Sequence, residues 1–413
     1  MKINKIYKTI ILILCCLICL YSVVACAPER GEEEFEDNNL SYSNYVFNVK
    51  MIETIVGEAN IRNNTNQYRV NGTDLGFPIY NPSNNTMYLA FGDTFSTAMP
   101  GGGAWRSNVL ASSTDFNLSD GLDIDGFYSG ATGIAKAVIE GKHITNTEVT
   151  KIPTGGIYVN GAFYMFYMSI REWDNWTVNY CGAVKSTDNC KSFVRVNDLS
   201  WVNTDTGIIA TDTLDMINCD IDGVPLQAND VNRVTTLSGR VAPNFGQIFP
   251  VDGKDGYIYI YGIPGGRSGN VKMGRVKSEN IEDFDEYEYF VGLTEDNQPK
   301  YVKGATGLQI IRNGSAGIVV DAPCAELSIA YNTRLKKFVM VYLKYPNLIF
   351  RLSDNMYTWS RAETIITATE YPNLYGGLIN EHYMSADGKK IYFIMSQWTK
   401  SLYTSHLFEM ELN

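Results

Sequence analysis

Residues 73–95 read TDLGFPIYNPSNNTMYLAFGDTF. Two apolar runs flank the polar break NPSNN, which is the pattern of a β-hairpin. Each run ends, on the side away from the break, in one aspartate: Asp74 and Asp93. With the turn centred near Ser83-Asn84, Tyr80 faces Met87, Pro78 faces Leu89, Gly76 faces Phe91 and Asp74 faces Asp93. Directly opposed residues have Cβ atoms roughly 4.5–5.5 Å apart, so this register sets two carboxylates side by side. Like charges in that position repel, and at least one carboxyl is expected to hold its proton unusually tightly.

The same strand, polar turn and aromatic-rich strand recur along the chain. GIYVNGAFYMFYMSI (156–170) turns at Asn160-Gly161, a strong hairpin dipeptide. GYIYIYGI (256–263) reads as a buried strand, and LSIAYNTRLKKFVMVYL (327–343) turns at Asn332-Thr333-Arg334. HYMSADGKKIYFIMSQW (382–398) turns at Asp387-Gly388. Downstream in three units, SSTDFNLSDG (112–121), KSTDNCKSF (185–193) and LSDNMYTWS (352–360) place Ser and Asp in a turn. These resemble degenerate Asp-box turns, which join the outer strands of sialidase-type blades. Four-stranded units need at least about 40 residues each, which the length allows. Antiparallel sheets repeated about an axis make a β-propeller. The expected fold is therefore all-β, a five-bladed β-propeller over residues 51–413. Six blades is the alternative, with the extra unit in 196–250.

The N-terminus reads differently. A basic start (Lys2, Lys5, Lys8) precedes the apolar run TIILILCCLICL (9–20). This run is shorter than the roughly 20 residues of a spanning helix, so 1–25 is expected to be a signal peptide. VVAC, ending at Cys26, resembles a bacterial lipoprotein cleavage box, which would make Cys26 the lipidated residue. The following ERGEEEFEDNN is too acidic and too poor in apolar residues to order itself, so 26–50 is expected to be a tether. Acidic residues directly after such a cysteine resemble a signal for surface display. The implied location is a lipid anchor in a bacterial outer membrane, on the cell surface or periplasmic face.

Net charge is −11, which argues against nucleic acid, a partner that needs basic stripes. It leaves room for a polysaccharide substrate. Of eight cysteines, Cys181, Cys190, Cys219 and Cys324 lie beyond the signal and Cys26. Their spacing does not fit a metal site, and Cys181 and Cys190 are either bridged or free. With only three histidines, neither a His-based metal centre nor a Ser-His-Asp site is expected. No cofactor is called for, and the chain is expected to act as a monomer.

Paired carboxylates are the usual machinery of glycosidases: one protonates the leaving oxygen, the other activates water or attacks the sugar. Gly76 and Gly92 beside the pair would let a ligand approach the backbone. TDLGFPIYN followed by YLAFGDTF resembles the opening of the domain of unknown function 4185, also classed as glycoside hydrolase family 183. NLYGGLINEHYMSADGKKIYFIMSQW resembles that family's last blade. The resemblance spans nearly all of 52–413, although its GGLINEH segment is not a close match. It implies an endo-D-arabinanase acting on arabinogalactan or lipoarabinomannan, with catalysis carried at positions matching Asp74 and Asp93.

Other residues are candidates for substrate contact. Glu381 and His382 follow a Gly-Gly pair near the last unit's strands. Glu326 precedes an apolar strand as an axis-facing polar residue would, and Arg240 is placed to orient a carboxylate or bind a hydroxyl. Trp105, Trp173, Trp176, Tyr375 and Trp398 offer rings for sugar stacking, Trp105 from the glycine-rich loop GGGAWRSN. IPGGRSGN (263–270) lacks a phosphate-loop lysine and reads as a turn. The DIDG runs at 123–126 and 220–223 lack calcium-loop spacing. The rival to hydrolysis is a non-catalytic propeller lipoprotein that binds surface glycan.

The lipoprotein reading has a direct test. Cys26→Ala should move the protein from the membrane fraction to the soluble one; unchanged retention would contradict it.

Overall fold

The computed structural model describes residues 45–57, 60, 62–203 and 237–413. The expected signal peptide, Cys26, Cys219, the second DIDG run and the greater part of 196–250 lie outside the described residues. Among those described, the fold is all-β, with one α-helix.

The first strand, β1 (Val46–Thr54), is followed by β2 (Leu75–Asn81), β3 (Thr86–Phe91), β4 (Val109–Ser113) and β5 (Gly126–Phe127). The last four form one antiparallel sheet in that order. A second sheet runs β6 (Thr150–Val159), β7 (Ala162–Glu172), β8 (Thr177–Ser186), β9 (Val194–Val202). The turn between β6 and β7 is Asn160-Gly161, both with positive φ, as a two-residue hairpin requires. Next come β10 (Gln247–Asp252), β11 (Tyr257–Ile263), β12 (Gly269–Lys277), β13 (Glu288–Leu293), β14 (Pro299–Lys303), α1 (Gly304–Ile311), β15 (Ile318–Asn332), β16 (Lys337–Lys344), β17 (Asn347–Ser353) and β18 (Glu363–Ile366). These strands share one nine-stranded sheet because β12 pairs with both β13 and β15. The last strands are β19 (Leu374–Met384), β20 (Lys390–Trp398) and β21 (Tyr403–Leu412).

β1 closes the final sheet. It runs antiparallel to β21, Val46 opposite Leu412 and Thr54 opposite His406. Buried Glu409 on β21 pairs with Lys50 of β1 at 3.2 Å and Lys390 of β20 at 3.1 Å. Val46–Lys50 therefore belong to the fold, where the sequence reading has a tether. The exposure pattern along β1 explains the difference, since this edge strand buries little and carries no apolar run. Five strands, β2, β6, β10, β15 and β19, pack neighbour to neighbour in a closed ring, β19 returning to β2. The largest hydrophobic cluster lies around that ring and includes Phe77, Phe91, Tyr261 and Ile394.

The β2–β3 hairpin departs from the expected register at one point. Tyr80 faces Met87 and Pro78 faces Leu89, but Leu75, not Gly76, sits opposite Phe91. Gly76 is a bulge, with φ +102°. A Cβ there would lie 2.9 Å from the Phe91 ring, so the bulge position takes glycine. Asp74 is consequently set opposite Gly92, whose N–H donates to the Asp74 carbonyl at 3.0 Å, and Asp93 lies one residue further on.

The three Ser/Asp turns occupy equivalent places, between β4 and β5, β8 and β9, and β17 and β18. Ser113, Ser186 and Ser353 each accept backbone N–H groups with their hydroxyls, and Asp115, Asp188 and Asn355 do so with their side-chain oxygens. In the third turn the acceptor is Asn355; its neighbour Asp354 pairs with Lys337 instead. Cys181, Cys190 and Cys324 are free, buried thiols.

Ser353 is almost fully buried, accepts from the N–H groups of Asn355 and Met356 and donates to the Thr358 carbonyl at 2.6 Å. Ser353→Ala should leave those groups short of partners and destabilise the protein by about 1–3 kcal/mol in urea unfolding. An unchanged midpoint would show that the turn does not depend on this hydroxyl.

Candidate active site

The ends of β2 and β3 away from their turn open into a cavity of about 630 Å³. Both aspartates line it, although they are only 7% and 6% exposed. Asp74 stands just before Leu75, which has φ +59°. This is an uncommon conformation for a branched residue, and such strain is held only where surroundings enforce it. Here the Leu75 N–H donates to Ser396 Oγ at 2.6 Å, and the Leu75 carbonyl accepts from Ser405 Oγ at 3.1 Å.

Asp74 Oδ2 accepts the Tyr375 hydroxyl at 2.7 Å, and the Tyr403 phenol lies near enough to favour the ionised carboxyl. Asp74 Oδ1 is buried without a hydrogen-bond partner among the described residues. Burial raises the pKa of Asp74 to about 6, against the pull of the two tyrosines and of Arg267; Glu326 adds to the rise. Asp93 Oδ1 accepts from Trp105 Nε1 at 2.7 Å and Thr150 Oγ at 2.5 Å. Its pKa rises to about 7, again chiefly by burial, with the Asp74 charge contributing. Gly92 separates the pair for a steric reason. A Cβ there would lie 2.2 Å from Asp74 Oδ1.

Two further groups fix the surroundings. The Arg267 guanidinium lies over the rings of Trp176 (5.1 Å) and Tyr375 (4.6 Å) and binds Glu326 Oε1 through Nε at 2.7 Å and Nη2 at 2.6 Å. Glu326 itself has φ +26°. On the other side, the Trp105 ring sits 4.0 Å from that of His143, whose Nε2 is 2.7 Å from Glu140 Oε1.

The structure thus brings Asp74, Asp93, Trp105 and Trp398 to one cavity, with Trp173, Trp176 and Tyr375 beside them. Glu326 stands behind Asp74 through Arg267. Glu381 and His382 lie elsewhere, beside a separate cavity of about 320 Å³ at the turn end of β2. There Glu381 pairs with Lys254 at 2.9 Å and His382 stacks on Tyr80 at 3.7 Å. Arg240 does not line the carboxylate cavity. It is the last residue of a short 3-10 turn, donates to Asp198 Oδ1 at 2.6 Å and covers the Phe284 ring. Sequence reasoning missed Arg267, Thr150 and Tyr403. Arg267 sat in a stretch read as a plain turn, and its partners are distant in the chain. Tyr375 was a candidate for stacking, but its hydroxyl serves Asp74.

Two carboxyls that ionise near neutrality, in an aromatic, partly desolvated cavity, can divide one proton between them. This is the asymmetry that general acid–base chemistry uses.

The sequence matches DUF4185, a domain of unknown function, over residues 60–409. No curated protein matches it. Among solved structures, it is similar to Zg3597, a family 117 glycoside hydrolase of the marine bacterium Zobellia galactanivorans, with a TM-score of 0.47 and 10% identity over 89% of this chain and 92% of that one. It is also similar to the GH43_1 enzyme of Xanthomonas citri, with a TM-score of 0.41 and 9% identity over 83% and 88%. A third is the GH32 β-fructofuranosidase BmSUC1 of Bombyx mori, with a TM-score of 0.40 and 11% identity over 84% and 62%.

Raised carboxyl pKa values bear on stability. Both groups hold protons more tightly folded than unfolded, so the stability they confer is full below about pH 4. It is lost as pH rises through about 6 for Asp74 and about 7 for Asp93. Asp93→Asn should therefore be more stable than wild type at pH 8, by on the order of 2 kcal/mol, with the gap closing toward pH 4. Thermal unfolding across that range checks this; a gap independent of pH would contradict it.

Proposed function

We propose that this chain, which belongs to the DUF4185 family, is a glycoside hydrolase built as a five-bladed β-propeller. In this reading it cuts a furanose polysaccharide internally, with D-arabinan of the arabinogalactan and lipoarabinomannan type as the substrate. The closed ring of β2, β6, β10, β15 and β19 supports the blade count. The observation that carries the function is the pair Asp74 and Asp93, buried in one aromatic cavity with both pKa values raised toward neutrality. A protein that only bound glycan would have no use for that arrangement, which destabilises the fold at neutral pH. A lipid anchor at Cys26 would hold the enzyme at the outer membrane, where a polymeric substrate arrives from outside.

The neighbours of the two carboxyls divide their roles. Asp74 accepts from the Tyr375 hydroxyl and lies near the Tyr403 phenol and the Arg267 charge, all of which favour its ionised form. Asp93 is held by neutral donors, Trp105 and Thr150, and feels the Asp74 charge. Asp93 is therefore the acid that protonates the leaving glycosidic oxygen. Asp74 is the carboxylate that activates water or attacks the anomeric carbon. The cavity's rings exclude water and offer flat apolar faces to the sugar.

Incubation of the purified protein with mycobacterial arabinogalactan and with plant L-arabinan tests the reading. A ladder of oligosaccharides is expected from the first polymer alone. Its rate should follow a narrow bell between the ionisations of the pair, at about 6 and about 7. Asp74→Asn and Asp93→Asn should each lower kcat by about a hundredfold or more while remaining folded. Binding without product from the wild-type protein would overturn hydrolysis in favour of a glycan-binding lipoprotein.

A further inference from the structure

The aromatic rings lining the carboxylate cavity fall into two groups. Phe95, Tyr375 and Tyr403 are buried in the central hydrophobic cluster, and Trp105, Trp173 and Trp176 pack against it. Their positions are accounted for by packing. Tyr345 and Trp398 also line the cavity, but they are 67% and 49% exposed. Neither belongs to a packed hydrophobic cluster among the described residues.

The backbone at both positions is nonetheless fixed. Tyr345 occupies the two-residue turn between β16 and β17, closed by the Lys344–Asn347 pair. Trp398 is the last residue of β20. It pairs with Tyr403 across the ladder, and its N–H donates to the Asn373 carbonyl at 3.3 Å. A large aromatic side chain on a fixed backbone has only two χ angles to lose when something stacks on its open face. The C–H faces of a saccharide ring are the matching surface, as apolar patches on an otherwise hydrophilic ligand. The ligand is expected to be uncharged, because neither ring carries charge, the cavity holds two carboxyls, and the chain's net charge of −11 repels anionic polymers.

We propose that Tyr345 and Trp398 form an outer sugar-binding site. It holds a neutral saccharide unit of the substrate chain away from the bond being cut. This rests on the glycosidase reading above and adds to it a requirement for an extended chain.

Calorimetry with neutral oligosaccharides from mycobacterial arabinogalactan tests the site apart from hydrolysis, with Asp93→Asn protein as the parent. Adding Tyr345→Ala or Trp398→Ala should weaken Kd about tenfold each, while Tm stays within about 2 °C because neither ring is packed. In the active protein, each substitution should lower kcat/KM for the oligosaccharide by a larger factor than for a one-sugar aryl glycoside. Undiminished oligosaccharide affinity in both variants would overturn the outer site. Equal losses on the long and short substrates would also overturn it, since the rings would then be serving the sugar at the carboxylates. If the wild-type protein binds the oligosaccharide without cutting it and the variants bind it weakly, the hydrolase reading falls and the site stands. No binding by the parent would overturn the site together with the substrate class.

Discussion

Everything around the cavity follows from burying two carboxyls within reach of each other. Desolvation penalises the charged form of each, and the mutual repulsion adds to it. Such groups persist only if donors are delivered to them, and no single element supplies those donors. Tyr375 comes from β19, Thr150 from β6 and Trp105 from the loop after β3. Arg267 arrives from the β11–β12 connection, itself pinned by Glu326 of β15. The site therefore exists only when the ring of strands has closed.

The closure and the site are the same place in the molecule. The first sheet meets the last at Thr73 and Leu75. The Thr73 N–H donates to the Tyr403 carbonyl at 3.0 Å, and both backbone groups of Leu75 are taken by serines of β20 and β21. The strain at Leu75 is thus held by the seam. β1, pinned through Lys50 to buried Glu409, secures the far edge of that last sheet. A weakness in closure would reach Asp74 before it reached the rest of the core.

What the sequence shows and hides follows from the range of the interactions involved. The hairpins at 156–170, 327–343 and 382–398 were legible because alternation and turn residues act locally. The two aspartates were legible for the same reason, as misfits in a strand pattern. The one-residue slip was not, because it depends on how closely Gly76 must approach the Phe91 ring. The Arg267–Glu326 pair was hidden by a sequence separation of 59, and the Tyr375–Asp74 bond by one of 301. Glu381 and His382 were read as substrate contacts in the carboxylate pocket from their place in the last unit. β19 is long enough to reach both ends of the ring, and its Tyr375 end takes that role instead. Asn355 replaced the expected Asp354 because the turn needs its acceptor two residues after the serine, a spacing the other two turns share.

Under the proposed hydrolysis, the same desolvation that weakens the fold at neutral pH is what would give the pair its chemical use. A carboxyl in water loses its proton near pH 4 and has none to give at neutrality. Raising both pKa values equally would yield two acids and no base. The asymmetry comes first from the Tyr375 and Tyr403 phenols beside Asp74, and then from Arg267, whose own charge is held by Glu326 and lies over the rings of Trp176 and Tyr375. Removing Glu326 would leave that guanidinium more strongly directed at Asp74, and removing Arg267 would leave Asp74 facing a buried glutamate. Under the proposed hydrolysis, the third carboxylate would matter without touching the reacting atoms, by balancing the Arg267 charge beside Asp74.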